Sequence, residues 1–113
     1  MKRVLVVEDH YALRRLFSRF LTREKCRVEL AANDQEANEI IQNNEFDVAF
    51  IDVELGQGRD GFQLAERFRL LKPDMRIIMM SARSEYGSRS VSKFDGFMLK
   101  PFTLDEISFH VFR

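Results

Sequence analysis

The chain has 113 residues, enough to bury one real core and too few for two domains. Its 18 basic residues balance 18 acidic ones, so no overall field favours nucleic acid or an anionic membrane, and partners must be read from local sites. A single cysteine, Cys26, excludes an internal disulfide and a thiolate zinc cage and suits a reducing, cytoplasmic setting.

Val4 to Val7 is a continuous aliphatic run, the pattern of a parallel strand covered on both faces. It stops at Glu8 and Asp9, too soon for a signal peptide, and no later apolar run approaches the roughly eighteen residues of a membrane span. From Tyr11 the spacing becomes helical, with Leu13, Leu16, Phe17, Phe20 and Leu21 on one stripe and Arg14, Arg15, Ser18 and Arg19 opposite. Arg27 to Ala31 predicts a second strand. Asn33 with Glu36 three residues on has the spacing of a capping box, opening a helix that carries Ala37, Ile40 and Ile41.

Asp47 to Asp52 predicts a third strand. A glycine-containing loop then leads to a helix with Leu64, Ala65, Phe68 and Leu71 inward, stopped near Lys72-Pro73. Met75 to Met80 is a fourth strand and Gly96 to Leu99 a fifth. Thr103 and Glu106 form a second capping-box pattern, which opens a last helix. The chain ends inside that helix, so it is expected to be cut short. Strands alternating with helices imply a doubly wound five-stranded parallel sheet with helices on both faces, and such folds bind ligands outside the carboxyl ends of the strands.

The polar residues at those ends are Glu8 and Asp9, Asp52, Ser81 and Lys100. Crowded carboxylates repel one another unless a cation joins them, and an all-oxygen set suits octahedral Mg²⁺. Lys100 and the Ser81 hydroxyl can each hold a phosphoryl oxygen. Asp52, central in the set, is then the candidate nucleophile, forming an acyl phosphate by in-line attack.

Over nearly its whole length the chain resembles the response regulator receiver domains of two-component systems. The resemblance is carried in order by Glu8-Asp9, Ile51-Asp52, Asp60-Gly61, Met80-Ser81-Ala82 and Lys100-Pro101. It implies one receiver domain over residues 1–113, like the chemotaxis regulators, with the flavodoxin-like strand order 2-1-3-4-5. By position it implies Asp52 as phosphoacceptor, Glu8 and Asp9 as metal-site acids, and Ser81 and Lys100 as phosphoryl ligands. The Glu54 backbone carbonyl becomes a further metal donor and Phe97 the aromatic switch residue. The implied partners are a sensor histidine kinase or phosphotransfer protein, with a homodimer and a C-terminal effector domain beyond this chain as further candidates. Neither a membrane nor direct nucleic-acid binding by this domain is implied. Such a domain catalyses phosphorylation of its own aspartate and is not a turnover enzyme on a free substrate.

The sequence also departs from the family. The loop from Val53 to Asp60 lacks the usual proline, is one residue longer, and gains glycines that predict flexibility. Ser84 to Lys93 has little helix propensity and almost no apolar stripe, predicting a short, irregular or mobile fourth helix. These departures motivate the alternative of a degenerate receiver acting as a phosphorylation-independent interaction module. A haloacid dehalogenase phosphatase is suggested by the paired acids of Asp52-Val53-Glu54, but that family sets its nucleophile at the first strand.

Other residues carry plainer readings. His10 is an exposed residue at a helix start, Met75, Met79 and Met80 are core, and Arg14, Arg15, Arg19 and Arg23 form a solvated basic face with a modest claim to kinase docking. Glu54 and Arg83, opposite in charge, are expected either to pair across the mouth of the site, screening it from water, or to point into solvent.

Overall fold

The computed structural model describes residues 1–113. Five parallel strands, β1 (Arg3–Val7), β2 (Arg27–Ala31), β3 (Val48–Asp52), β4 (Arg76–Ser81) and β5 (Gly96–Leu99), lie in the order β2-β1-β3-β4-β5. Five helices alternate with them: α1 (Tyr11–Arg23), α2 (Asp34–Gln42), α3 (Gly61–Leu71), α4 (Gly87–Lys93) and α5 (Leu104–Phe112). A 3₁₀ turn at Ser84–Tyr86 precedes α4. This is the doubly wound sheet expected from the alternation, in the flavodoxin-like order. No helix is long and apolar enough to cross a membrane.

Strand alternation sends successive apolar residues to opposite faces. Val4, Val6, Phe50, Ile78 and Met80 face α1 and α5, meeting Phe17, Leu21, Ile107 and Val111. Leu5, Val7, Ile51, Ile77 and Met79 face the other way, against Ala37 and Ile41 of α2 and Phe62, Ala65 and Phe68 of α3. Burial of each large apolar side chain contributes about 2–3 kcal/mol before entropy is counted, so the two layers fix the sheet. Met75, Met79 and Met80 are buried among them, as a core reading requires.

Local chemistry sets the helix starts. Thr103 and Glu106 form a complete reciprocal capping box at α5. At α2 the Asn33 side chain accepts from the Glu36 N–H at 2.8 Å, but the Glu36 carboxylate turns to the Ala32 N–H at 2.7 Å, one residue earlier than a strict box. The third strand opens at Val48 instead of Asp47, whose carboxylate is occupied by the Arg3 N–H at 2.8 Å. The fourth runs from Arg76 to Ser81, one residue later than expected, because the Met75 N–H closes a turn onto the Lys72 carbonyl.

Candidate functional site

Strand register gathers the polar strand ends. Val7 is level with Ile51, Asp52 with Met80, and Ser81 with Leu99. Ladder bonding continues one residue further, with Glu8 N–H to Ala31, Val53 N–H to Met80 and Lys100 N–H to Ser81. Glu8, Asp52, Ser81 and Lys100 therefore emerge side by side. One carboxylate oxygen from each of Glu8, Asp9 and Asp52 lies within 4.8 Å of the others.

Glu8 and Ser81 are wholly buried and Asp52 is 3% exposed, while Asp9 is open to solvent. Two buried carboxylates this close require a counter-charge. Lys100 supplies it, its Nζ donating to Glu8 Oε1 at 2.7 Å and to Asp52 Oδ2 at 2.8 Å. Burial, reinforced by the neighbouring Asp52 charge, outweighs that hydrogen bond and pushes the Glu8 carboxyl up to about 7. Burial would lower the Lys100 ammonium, but its hydrogen bonds to Asp52 and Glu8 prevail and hold it above the usual lysine range. The second Glu8 oxygen accepts from the His10 N–H at 3.1 Å, and the His10 side chain makes no capping bond at α1.

Asp52 Oδ1 accepts the Glu54 N–H at 3.0 Å, so both oxygens of this carboxylate are held in place. No protein N–H or hydroxyl donates to the Glu54 carbonyl. Ser81 Oγ donates to Glu54 Oε1 at 2.7 Å and accepts from the Arg83 N–H at 2.9 Å. Of the two arrangements expected for Glu54 and Arg83, the ion pair is not formed, and the Glu54 carboxylate meets Ser81 instead of solvent alone. The Arg83 guanidinium turns to Glu85 at 2.7 Å and lies over the Tyr86 ring, a nearer pair of partners on its own segment. Phe97 is half-buried against the α3 side of the core, with Gly87 of α4 beside its ring.

The loop after Asp52 turns on its glycines. Gly56, Gln57 and Gly58 have φ of 78°, 50° and 72°, three consecutive left-handed residues, closed by Arg59 N–H to Gly56 and Leu55 N–H to Arg59. The glycines supply the positive φ that this turn requires. Gly56 also lies against the site, since a Cβ there would fall 2.9 Å from Asp9 Oδ2. At Gly61 a Cβ would lie 1.9 Å from the Asp52 carbonyl oxygen, which explains why glycine follows Asp60 in the matching motif. The approach of Gly56 to Asp9 and the bond of the Glu54 side chain to Ser81 carry no local sequence signal, because both depend on residues brought in by other strands.

The cluster opens to solvent through a cleft lined by Asp9, Leu13, Ala82, Lys100 and Phe102. Three carboxylates, a half-buried lysine and a buried hydroxyl give this corner of the fold the donors that a divalent cation and a small tetrahedral anion require.

The sequence model of the response regulator receiver domain matches residues 4–112. Sporulation initiation phosphotransferase F of Bacillus subtilis is 29% identical over 109 residues, 94% of this chain and 87% of the relative. The transcriptional regulatory protein SrrA of Staphylococcus aureus is 33% identical over 111 residues, but this chain spans only 45% of its length. Among solved structures, the response regulator protein TrrA from Thermotoga maritima, in complex with Mg²⁺ and BeF, superposes with a TM-score of 0.87 at 33% identity, covering 98% of this chain and 96% of that one. A CheY-like receiver domain protein from Methanospirillum hungatei gives 0.87 at 29% identity, covering 98% and 94%.

Proposed function

The chain belongs to the response regulator receiver domain family of two-component systems, and from that premise we propose that Asp52 takes a phosphoryl group from a histidine kinase or phosphotransfer protein. The observation that carries this is the placing of Asp52, nearly buried, held at both oxygens and joined to Lys100 within the acidic cluster. An Asp52 carboxylate oxygen attacks the phosphorus of a phosphohistidine. The O–P bond forms as the N–P bond breaks, and the imidazole nitrogen leaves with the electron pair and takes a proton from solvent. Lys100 offsets the charge of the incoming group, and Ser81 donates to one of its oxygens.

The donor set fits Mg²⁺, being all oxygen, with Glu8, Asp9 and Asp52 in reach of one ion and the undonated Glu54 carbonyl as a further ligand. Bound there, the ion would supply charge neutralisation for the phosphoryl dianion. Ser81, drawn to the new group, would leave room for Phe97 to move inward and carry the change to α4 and β5. The setting is cytoplasmic, and the domain acts as a self-phosphorylating switch with no free substrate to turn over. Output would pass through a homodimer or an effector domain of a longer protein, in keeping with the transcriptional regulators of which this chain spans under half. A phosphorylation-independent module has less support, since every position the chemistry needs is filled.

Intact mass after incubation with acetyl phosphate tests the acceptor. Wild type should gain one phosphoryl mass with Mg²⁺ and none without it, and Asp52→Asn should gain none. Equal labelling of that variant would remove Asp52 from the role.

A further inference from the structure

We propose that Glu54 is a positioning residue that withholds the Ser81 hydroxyl from the site until an anion on Asp52 competes it away. The inference rests on the acceptor reading above and adds a restraint on the unphosphorylated state.

A serine hydroxyl has one proton to give. An ionised carboxylate can only accept, so the 2.7 Å contact between Ser81 Oγ and Glu54 Oε1 uses that proton. The Arg83 N–H, at 2.9 Å, occupies the acceptor side of the same oxygen. Ser81 is fully buried, so no water replaces either partner freely. Ser81 therefore cannot donate to a phosphoryl oxygen while Glu54 holds it.

The Ser81 contact is the one that fixes the Glu54 side chain. That side chain is exposed, forms no ion pair with Arg83, and has Ser81 as its one protein hydrogen-bond partner. Its own N–H meanwhile donates to Asp52 Oδ1. One residue thus holds the acceptor by its main chain and the hydroxyl by its side chain, which links the two at the point where phosphorylation changes the charge. When a phosphoryl oxygen takes the Ser81 proton, the Glu54 carboxylate turns out to solvent and the link opens. The exchange of one anionic acceptor for another also explains how a hydroxyl buried beside a carboxylate can still respond to a dianion.

Titration calorimetry with beryllofluoride and Mg²⁺, a phosphoryl mimic that needs no donor, tests the restraint in the intact chain. Glu54→Ala should bind the mimic about threefold or more tightly than wild type, the factor expected from freeing one ordinary hydrogen bond. Glu54→Gln, whose amide oxygen still accepts, should gain less. In a Ser81→Ala background the gain from Glu54→Ala should vanish, because the two residues act through one contact. Equal gains in both backgrounds, or equal gains for alanine and glutamine, would mean that Glu54 acts by charge alone and would overturn the proposal. Uptake of neither the mimic nor phosphoryl mass by wild type would overturn the acceptor reading instead, and this inference with it.

Discussion

At the carboxyl edge of the sheet, Glu8 and Asp52 are buried, share one lysine and sit on strands bonded on both sides. The neighbouring segment Ser84–Lys93, packed on the edge strand β5, is built otherwise. Glu85 and Lys93 lie in exposed pairs with Arg83 and Glu66, Arg89 lies over the Phe62 ring, and Ser90 is the only buried residue of α4. Exposed pairs contribute about 0–1 kcal/mol each, whereas removing one member of a buried set leaves a charge without compensation. The chemistry is therefore anchored where the fold is least deformable, and the element beside it is held by weak, replaceable contacts.

Glycines give the sharpest contrast between the two regions. Gly61→Ala places its Cβ 1.9 Å from the Asp52 carbonyl oxygen and 3.0 Å from the Val53 Cα, backbone atoms with no rotamer through which to yield. Urea denaturation should show a loss of about 3 kcal/mol or more. A loss under about 1 kcal/mol would show that this edge is softer than its packing implies.

The next largest effect is in pH. Burial raises the Glu8 carboxyl to about 7 in the folded chain, above its value in the unfolded chain. Between the two values the folded state holds a proton that the unfolded state lacks, so the contribution is fully present below the unfolded pKa and is lost as pH rises through about 7. Without metal, Glu8→Gln should flatten the decline in stability between about pH 5 and 8 by roughly 2–3 kcal/mol. Parallel thermal profiles for wild type and variant would contradict the burial argument.

A smaller effect separates two glycines of one loop. Gly56→Ala and Gly58→Ala both force alanine into positive φ, at about 1 kcal/mol each. Only the first meets Asp9, since nothing lies within 4 Å of a Cβ at Gly58. Mg²⁺ affinity should fall severalfold in Gly56→Ala and stay near wild type in Gly58→Ala; equal affinities would show that Asp9 adjusts freely.

The smallest effect has the opposite sign. Gly87→Ala in α4 meets only the Phe97 ring at 3.4 Å, an ordinary contact, and should stabilise by about 0.5 kcal/mol through helix propensity. Gly87–Lys93 should also exchange its amide hydrogens faster than any other internal helix. Protection equal to that of α1 would end the comparison.

Much of this arrangement is legible in the sequence because its causes are local or periodic. Val4–Val7 can only be a strand covered on both faces, and its end at Glu8 locates the site before any contact is known. Thr103 and Glu106 announce α5 by a bond between neighbours in the chain. Asp52, Ser81 and Lys100 are found by counting strands, since register does the rest. The loop from Val53 to Asp60 is not legible, because its left-handed turn at Gln57 and its bridge between Glu54 and Asp60 depend on how β3 meets α3. Charge alone also leaves Glu54 open between Arg83 and solvent. Arg83 finds Glu85 two residues away, and Glu54 meets a serine on another strand, a partner that charge does not point to.

An open parallel sheet has two rims on which a stray strand could dock, and the strand order gives those rims to β2 and β5. On β2, Arg27 and Glu29 are exposed, so an added strand would have to align with charges of both signs. On β5 the rim is only four residues long, from Gly96 to Leu99, and α4 and α5 flank it in the chain. Both rims are thus poor templates for chain-to-chain strand addition. Concentrated solutions of the folded domain should accordingly remain free of β-rich aggregates.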